Sequence, residues 1–313
     1  MNATSKISQS YRYRMSGLTV ASEIPLPGAV PQAADDAVPV DAVFRLGDVP
    51  ERLDNPHHFG PEWFADDQQF LLNLPDVGRF TAINGREIVI SPAPGMTVRD
   101  ALPFVVGTTF SALLYQRGGW LLHASAVVHR GRAFAFCGDS GAGKSTLAAA
   151  LCRIGCDFVT DDVCAVDHPT GSAPLVRPDG RMLRLFPDSI RRAGLEDAVG
   201  SPVRMSIDKF HVTPPTQAPD AAPLAAIYLL GDASPARPPG IEELSGANAA
   251  QALLRFSYRR RLALAYAGQG RLALRTAALL AHVKVHRLIR QRDLARIEET
   301  VAALQVHWND TAG

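Results

Sequence analysis

From Gly138 to Thr146 the chain reads Gly-Asp-Ser-Gly-Ala-Gly-Lys-Ser-Thr, which fits the loop pattern G-x-x-x-x-G-K-[ST]. The chemistry this spacing serves is phosphate binding. Small residues at Gly138, Gly141, Ala142 and Gly143 let successive backbone N–H groups turn inward as an anion nest, with Asp139 and Ser140 between them. A helix beginning at the loop's end adds the positive end of its dipole. Lys144 can then reach the β- and γ-phosphates, and the Ser145 hydroxyl can ligate Mg²⁺ with Thr146 beside it. Residues 138–146 are therefore the expected cradle for ATP, with Mg²⁺ as the accompanying ion.

Seventeen residues beyond Lys144 stands Asp161-Asp162, in the middle of an apolar run over 156–166. Two carboxylates in such a run are costly unless a cation compensates them, and a Mg²⁺–nucleotide complex would do so. Successive strand residues point to opposite faces, so the two acids are expected to divide the work. Asp161 is assigned to the metal with Ser145, and Asp162 to accepting a proton from an attacking hydroxyl. His123, in Leu121-Leu122-His123-Ala124, sits on the preceding strand, where it could orient the aspartates or the phosphate. Lys144, His123, Asp161 and Asp162 are the expected catalytic set. Arg184, between Leu183 and Leu185, and Lys209 are further candidates to neutralise charge on a transferring phosphoryl group.

The elements around these residues must position them. Residues 132–137 read as a buried strand entering the loop and 147–154 as a helix rich in Ala and Leu leaving it. Residues 120–128 read as a strand paired with 132–137 around the turn His129-Arg130-Gly131. Thr97 can cap a helix running to about residue 115. Beyond the acidic pair, 187–192 reads as a short helix, 213–222 as a Pro- and Ala-rich mobile loop, and 224–230 and 241–244 as strands. Helices are expected over 245–256 and 272–281, a strand over 283–289, and a last helix from Asp293 to about 306.

Residues 1–95 are turn-rich and β-like, and read as a small β-rich N-terminal domain ahead of a catalytic domain over 96–313. Residues 12–20 alternate as one strand, residues 33–38 read as a surface loop, and strands at 70–74, 79–83 and 87–90 flank the hairpin signal Asn84-Gly85. His57 and His58 read as surface residues.

Bulk properties narrow the function. A net charge of +1 over 313 residues argues against a general polyanion binder, so no nucleic acid is expected as partner. The stretch 251–296 nonetheless carries eleven Lys or Arg against one acid, Asp293, readable as solvated helix faces or as a docking surface for an acidic partner. Cys137, Cys152, Cys156 and Cys164 form no C-x-x-C pair and read as core residues of a reduced compartment. No N-terminal signal core and no run approaching about 18 apolar residues is found, so a cytoplasmic location away from membranes is expected.

Leu122-His123, the loop 138–145 and Gly155 followed by Asp161-Asp162 together resemble the catalytic domain of HPr kinase/phosphorylase, a P-loop kinase family. The likeness covers about residues 118–168 and implies an α/β fold with a P-loop kinase core of that type. It also implies ATP- and Mg²⁺-dependent transfer to a serine of a small protein or peptide. Two departures stand out: Thr146 replaces the family's Glu after the loop serine, and residues 181–188 replace the segment E-I-R-G-[LI]-G-I tied to dephosphorylation. A kinase without phosphorylase activity is therefore expected. The start of the chain, Tyr11-Arg12-Tyr13-Arg14 through Ile24-Pro25-Leu26-Pro27, is similar to that of divergent relatives, some of which phosphorylate lasso-peptide precursors. The family often forms hexamers, which makes a homo-oligomer a further expectation. Two other readings share the same residues: a kinase for a small-molecule hydroxyl, and a nucleotide-dependent switch.

Overall fold

The computed structural model describes residues 11–26, 28–32, 38–168, 172–204 and 207–310. The first ten residues, read above as lacking a signal core, and residues 33–37 of the expected surface loop lie outside the described residues. The chain is a mixed α/β protein, with three sheets among those residues.

The first sheet holds β1 (Tyr11–Met15), β2 (Leu18–Ser22), β3 (Ala42–Leu46), β4 (His58–Phe59), β5 (Trp63–Ala65), β6 (Gln69–Leu74), β7 (Gly78–Ile83) and β8 (Glu87–Pro92). They lie in the order β1-β2-β3-β8-β7-β6-β5-β4. Asn84 and Gly85, at φ of 52° and 64°, make the expected tight turn between β7 and β8. The single strand expected over 12–20 is instead a hairpin, bent at Ser16-Gly17 with φ of 49° and 81°. Gly17, which accepts that backbone without strain, was the marker of the break. His57 and His58 are exposed, as expected.

Thr97 caps the next helix through a reciprocal exchange with Asp100. The path runs through α1 (Val98–Phe104), a widened π-helical turn over Val105–Thr109, and α2 (Phe110–Gln116). Pro103 lies at the disturbance, where its missing N–H interrupts the regular ladder.

Onward come β9 (Trp120–His129), β10 (Arg132–Cys137), α3 (Lys144–Arg153), β11 (Asp157–Asp167), β12 (Leu175–Val176), β13 (Leu183–Leu185), α4 (Pro187–Ala193), β14 (Val199–Arg204), β15 (Ile207–Val212) and β16 (Ala222–Asp232). The chain continues through β17 (Gly240–Leu244), α5 (Gly246–Arg255), α6 (Arg260–Leu280), β18 (Lys284–Arg290) and α7 (Ile297–Asp310). Strands β17-β18-β16-β10-β9-β11 lie side by side, and β12 bridges β11 to β16. β10, β16 and β18 run parallel, while β9 is antiparallel to both its neighbours. The strand carrying the acidic pair is thus separated from the loop's strand by one strand, and that strand carries His123.

Alternation along β10 explains how this sheet is held. Phe134 and Phe136 enter one apolar core with Leu147, Leu151 and Trp308 from α3 and α7. Ala133, Ala135 and Cys137 enter the other, which continues through α1, α2 and α5 to Phe44 and Phe80 of the first sheet. A strand buried on both faces loses the hydrophobic–polar alternation and reads as a continuous apolar run. The third sheet, β13-β15-β14, joins the first of these cores through Leu183, Leu185 and Val212.

Two expectations are corrected. The helix expected over 272–281 is only the second part of α6, which is two helices meeting at a non-helical kink at Gly268 (φ 68°, ψ 157°); the first, from Arg260, was not expected. The loop over 213–222 is tied down: Phe158 N–H donates to Thr216 O (3.0 Å), and Ala218 N–H to Phe158 O (2.8 Å). All four cysteines are free and buried, and burial pushes the thiols of Cys137, Cys152 and Cys156 up to about 12. Among the described residues no helix is long and apolar enough to cross a membrane.

Candidate functional site

At the end of β10 the chain turns through Gly138–Gly143 and enters α3 at Lys144. Gly141 and Gly143 take φ of 77° and 82°, and Gly143 caps the helix without any side-chain bond. The first amides of α3 therefore keep no side-chain partner, the condition an anion needs. Carbonyls of the loop are satisfied from outside: Arg292 donates to Gly141 O (2.8 Å) and Arg290 to Ala142 O. Arg255 pairs with the exposed Asp139 (2.9 Å).

Lys144 folds back over the loop, its Nζ donating to Gly138 O (2.8 Å) and Asp139 O (3.2 Å). Burial lowers its pKa, while the charges of Asp161 and Asp162 act in the opposite sense.

Both aspartates line the same cavity as the loop, a hollow of about 670 Å³. This corrects the alternation argument, which put them on opposite faces. An irregularity in register between Phe158 and Thr160 precedes them, and Asp162 itself takes φ of 135°, a conformation costly for a residue with a side chain. The division between the two survives in their partners. Asp161 Oδ1 accepts from Ser145 Oγ (2.7 Å) and Ser125 Oγ (2.6 Å), and Oδ2 accepts from the Arg184 backbone N–H (3.0 Å). Asp162 instead faces His123 Nδ1 (3.2 Å), Arg184 Nη2 (3.0 Å) and the Tyr258 hydroxyl (3.2 Å).

Electrostatics differ accordingly. Burial alone would push the Asp162 carboxyl up, but the Arg184 guanidinium and the His123 hydrogen bond override it and hold the carboxyl far below the ordinary range. Burial, then the charge of Asp162, pushes the Tyr258 phenol up to about 12, so it remains a donor at neutral pH. A carboxylate with a depressed native pKa stabilises the fold above its unfolded value, and that contribution fades as pH falls through the native one. Arg184→Gln should therefore raise the Asp162 pKa and move its acid-side loss of stability to higher pH. A ¹³C titration of the Asp162 carboxyl checks this, and an unmoved titration would remove Arg184 as the cause.

Of the expected cradle, Gly138, Asp139, Ser140, Gly141, Gly143, Lys144, Ser145 and Thr146 line the cavity. Ala142 does not, and its carbonyl accepts from Arg290. Thr146 is shared, its hydroxyl bonded to Ser189 of α4 (2.9 Å). Arg184 and Lys209 both reach the cavity, Lys209 with its ammonium 4.8 Å from the Phe186 ring centre.

Sequence reasoning missed Ser125, Tyr258 and the three arginines on the loop. The basic stretch 251–296 was the available signal for the last, and it divides. Arg255, Arg290 and Arg292 serve the loop, while Lys284, Arg287 and Arg296 pair with Glu243 (2.6 Å), Glu242 (3.7 Å) and Glu299 (2.7 Å). Among the described residues no group of three or more His, Cys, Asp or Glu is placed to hold a metal.

No family model matches the chain, and no curated protein does. Among solved structures the chain is similar to the HPr(Ser) kinase/phosphatase from Coxiella burnetii, at 12% identity and a TM-score of 0.34, over 62% of this chain and 99% of that one. Likeness at that level marks a distant structural relationship at most, so the site must speak through its own residues.

Proposed function

We propose that the chain is an ATP- and Mg²⁺-dependent kinase with a P-loop core of the HPr kinase type, acting on a serine hydroxyl of a small protein or peptide. In this reading residues 1–95 are an N-terminal domain, residues 96–313 are the catalytic domain, and the protein works in the cytoplasm. The observation that carries the reading is the meeting, in one cavity, of an uncapped helix N-terminus, a buried lysine and two carboxylates with different partners.

The residues present suit the nucleotide and its ion. Loop glycines leave little room for a Cβ: at Gly143 it would stand 3.0 Å from the Arg290 guanidinium, and at Gly138 3.0 Å from the Ala142 methyl. Gly138–Ser145 would hold the phosphates. Ser145 and Asp161, already hydrogen-bonded, form a hydroxyl–carboxylate pair of the kind Mg²⁺ uses when phosphate and water complete its shell. Mg–ATP, when bound, supplies the electrophilic γ-phosphoryl group and its ADP leaving group.

The chain's own residues do the rest. Asp162 receives the acceptor's proton at a carboxylate oxygen, and His123 and Tyr258 fix the direction in which that carboxylate points. Arg184 and Lys209 bring positive charge to the same hollow, suited to the charge that develops during transfer. Because Arg184 also holds the Asp162 pKa down, any anion that draws its guanidinium away makes Asp162 a better base.

Mass spectrometry of candidate serine-containing peptides after incubation with labelled ATP tests the reading. A phosphorylated peptide supports it, whereas nucleotide hydrolysis without any phosphorylated acceptor favours the switch. Incubation with inorganic phosphate and phosphorylated acceptor is expected to yield no pyrophosphate, since residues 181–188 replace the segment tied to that reaction. Pyrophosphate in that assay would restore phosphorylase activity to the reading.

A further inference from the structure

Beside the loop cavity lies a smaller cleft of about 370 Å³, between α1 with its π-turn and the sheet β13-β15-β14. That is the size of a small-ligand site. Its walls are largely apolar, built from Leu102, Pro103, Phe104, Val106, Met182 and Val203. None of residues 138–146 lines it, so it is not an extension of the loop. The two hollows share Pro103, Gly107, Asp161, Arg184 and Val203, and therefore meet along the carboxylate wall.

Charges at this cleft are matched, with one exception. Arg181 is held by Asp179 (3.0 Å), Arg184 by Asp162 (3.0 Å), and Asp100 by its exchange with Thr97. Burial, then Arg184, Arg181 and Arg99, pushes the His211 imidazole down to about 4, so it is neutral at physiological pH. Arg99 is exposed at the rim and makes no hydrogen bond or ion pair among the described residues.

The geometry points to this cleft as the acceptor subsite, taking an apolar group beside the reacting hydroxyl and meeting one carboxylate of the same molecule with Arg99. The assignment rests on the kinase reading above. An apolar flank seated here places a neighbouring hydroxyl at the shared wall, next to the cavity that holds Asp162, without displacing the loop. A heavily charged acceptor would have to desolvate against Leu102, Phe104 and Met182, where Arg99 is the one unpaired cation among the described residues and His211, its buried Nδ1 without a hydrogen-bond partner, is neutral. Two sources offer this chemistry: a peptide ending beside an apolar residue, and a small hydroxy acid with an apolar tail.

The test uses the full chain with Mg²⁺ and ADP and titrates four probes by calorimetry: leucyl-serine, its amide, glycyl-serine and 3-hydroxyoctanoate. The same probes are then assayed as acceptors with ATP. Leucyl-serine or 3-hydroxyoctanoate should bind, and which of them does separates the peptide source from the small-molecule source. Removing the apolar flank, as in glycyl-serine, should weaken binding about tenfold or more. Replacing the carboxylate by the amide should weaken it about two- to fivefold, as expected of an exposed pair, and Arg99→Gln should erase that difference. Met182→Trp, which fills the cleft away from the loop, should raise the acceptor KM about tenfold with kcat and ADP affinity retained, and Met182→Leu should restore it. The assignment is overturned if ADP binds and no probe does, or if the filled cleft leaves acceptor KM unmoved. Failure of ADP itself to bind removes the kinase reading, and this assignment with it.

Discussion

Lys144→Ala is expected to abolish phosphoryl transfer, with a loss of about two to three orders of magnitude or more and a marked weakening of ATP binding. Lys144 is buried to 8% exposure, and its stem rises from the first residue of α3. Its Nζ donates to the carbonyls of Gly138 and Asp139, which sets its charge against the loop that would hold the phosphates. Removing it withdraws the charge and leaves those carbonyls without their donor, yet the strand and helix on either side keep their cores. Circular dichroism should therefore be near that of the parent, while calorimetry with ATP shows the loss. A Lys144→Ala protein that turns over at the parent's rate would show that the loop is a structural turn and no nucleotide cradle.

Asp162→Asn is expected to lower transfer by about two to four orders of magnitude, the usual weight of a positioned base, while nucleotide affinity is largely kept. The amide retains the shape of the carboxylate and can still accept from Tyr258, but it cannot take a proton. Asp161→Asn should behave differently. That carboxylate is wired to Ser145, Ser125 and the backbone of Arg184, so its loss should appear first as altered Mg²⁺ dependence. Measured side by side at varied Mg²⁺, the two variants decide the order of roles. If Asp161→Asn loses transfer with normal Mg²⁺ dependence while Asp162→Asn changes the metal response, the two roles are exchanged. One consequence would separate His123 from a merely packed residue. His123→Ala should change the pH profile of transfer, because its ring bears on Asp162 (3.2 Å), rather than only lowering stability.

The region around the loop was legible because its signals are local. Gly141 and Gly143 are needed for backbone torsion, Gly138 for close approach to Ala142, and Lys144-Ser145 for what a helix's first turn presents; all are decided within nine residues. The Asn84-Gly85 turn, the Thr97 cap and the buried strand β10 are likewise fixed by neighbours, and they appeared where expected. Strands as short as β4, β12 and β13 gave too few residues for a period to register. The helical stretch from Arg260 to the kink at Gly268 was not legible, since the glycines at 268 and 270 interrupt its pattern.

Position in sequence thus determined the loop, the residue types that could serve a phosphate and an ion, and the strand–loop–helix unit that carries them. Tertiary structure decided which other side chains join them. Ser125 reaches Asp161 because β9 lies between β10 and β11, Tyr258 reaches Asp162 across 96 residues, and Arg255, Arg290 and Arg292 arrive at the loop from more than a hundred residues away. It also decided that two adjacent acids share one hollow. The regular period of a strand forbids that, and only a residue held at φ of 135° by Arg184, His123 and Tyr258 allows it. The physical reason is the same in each case. Local torsions and caps depend on a few consecutive residues, whereas ion pairing and backbone strain are settled by partners that only strand pairing and core packing bring within reach.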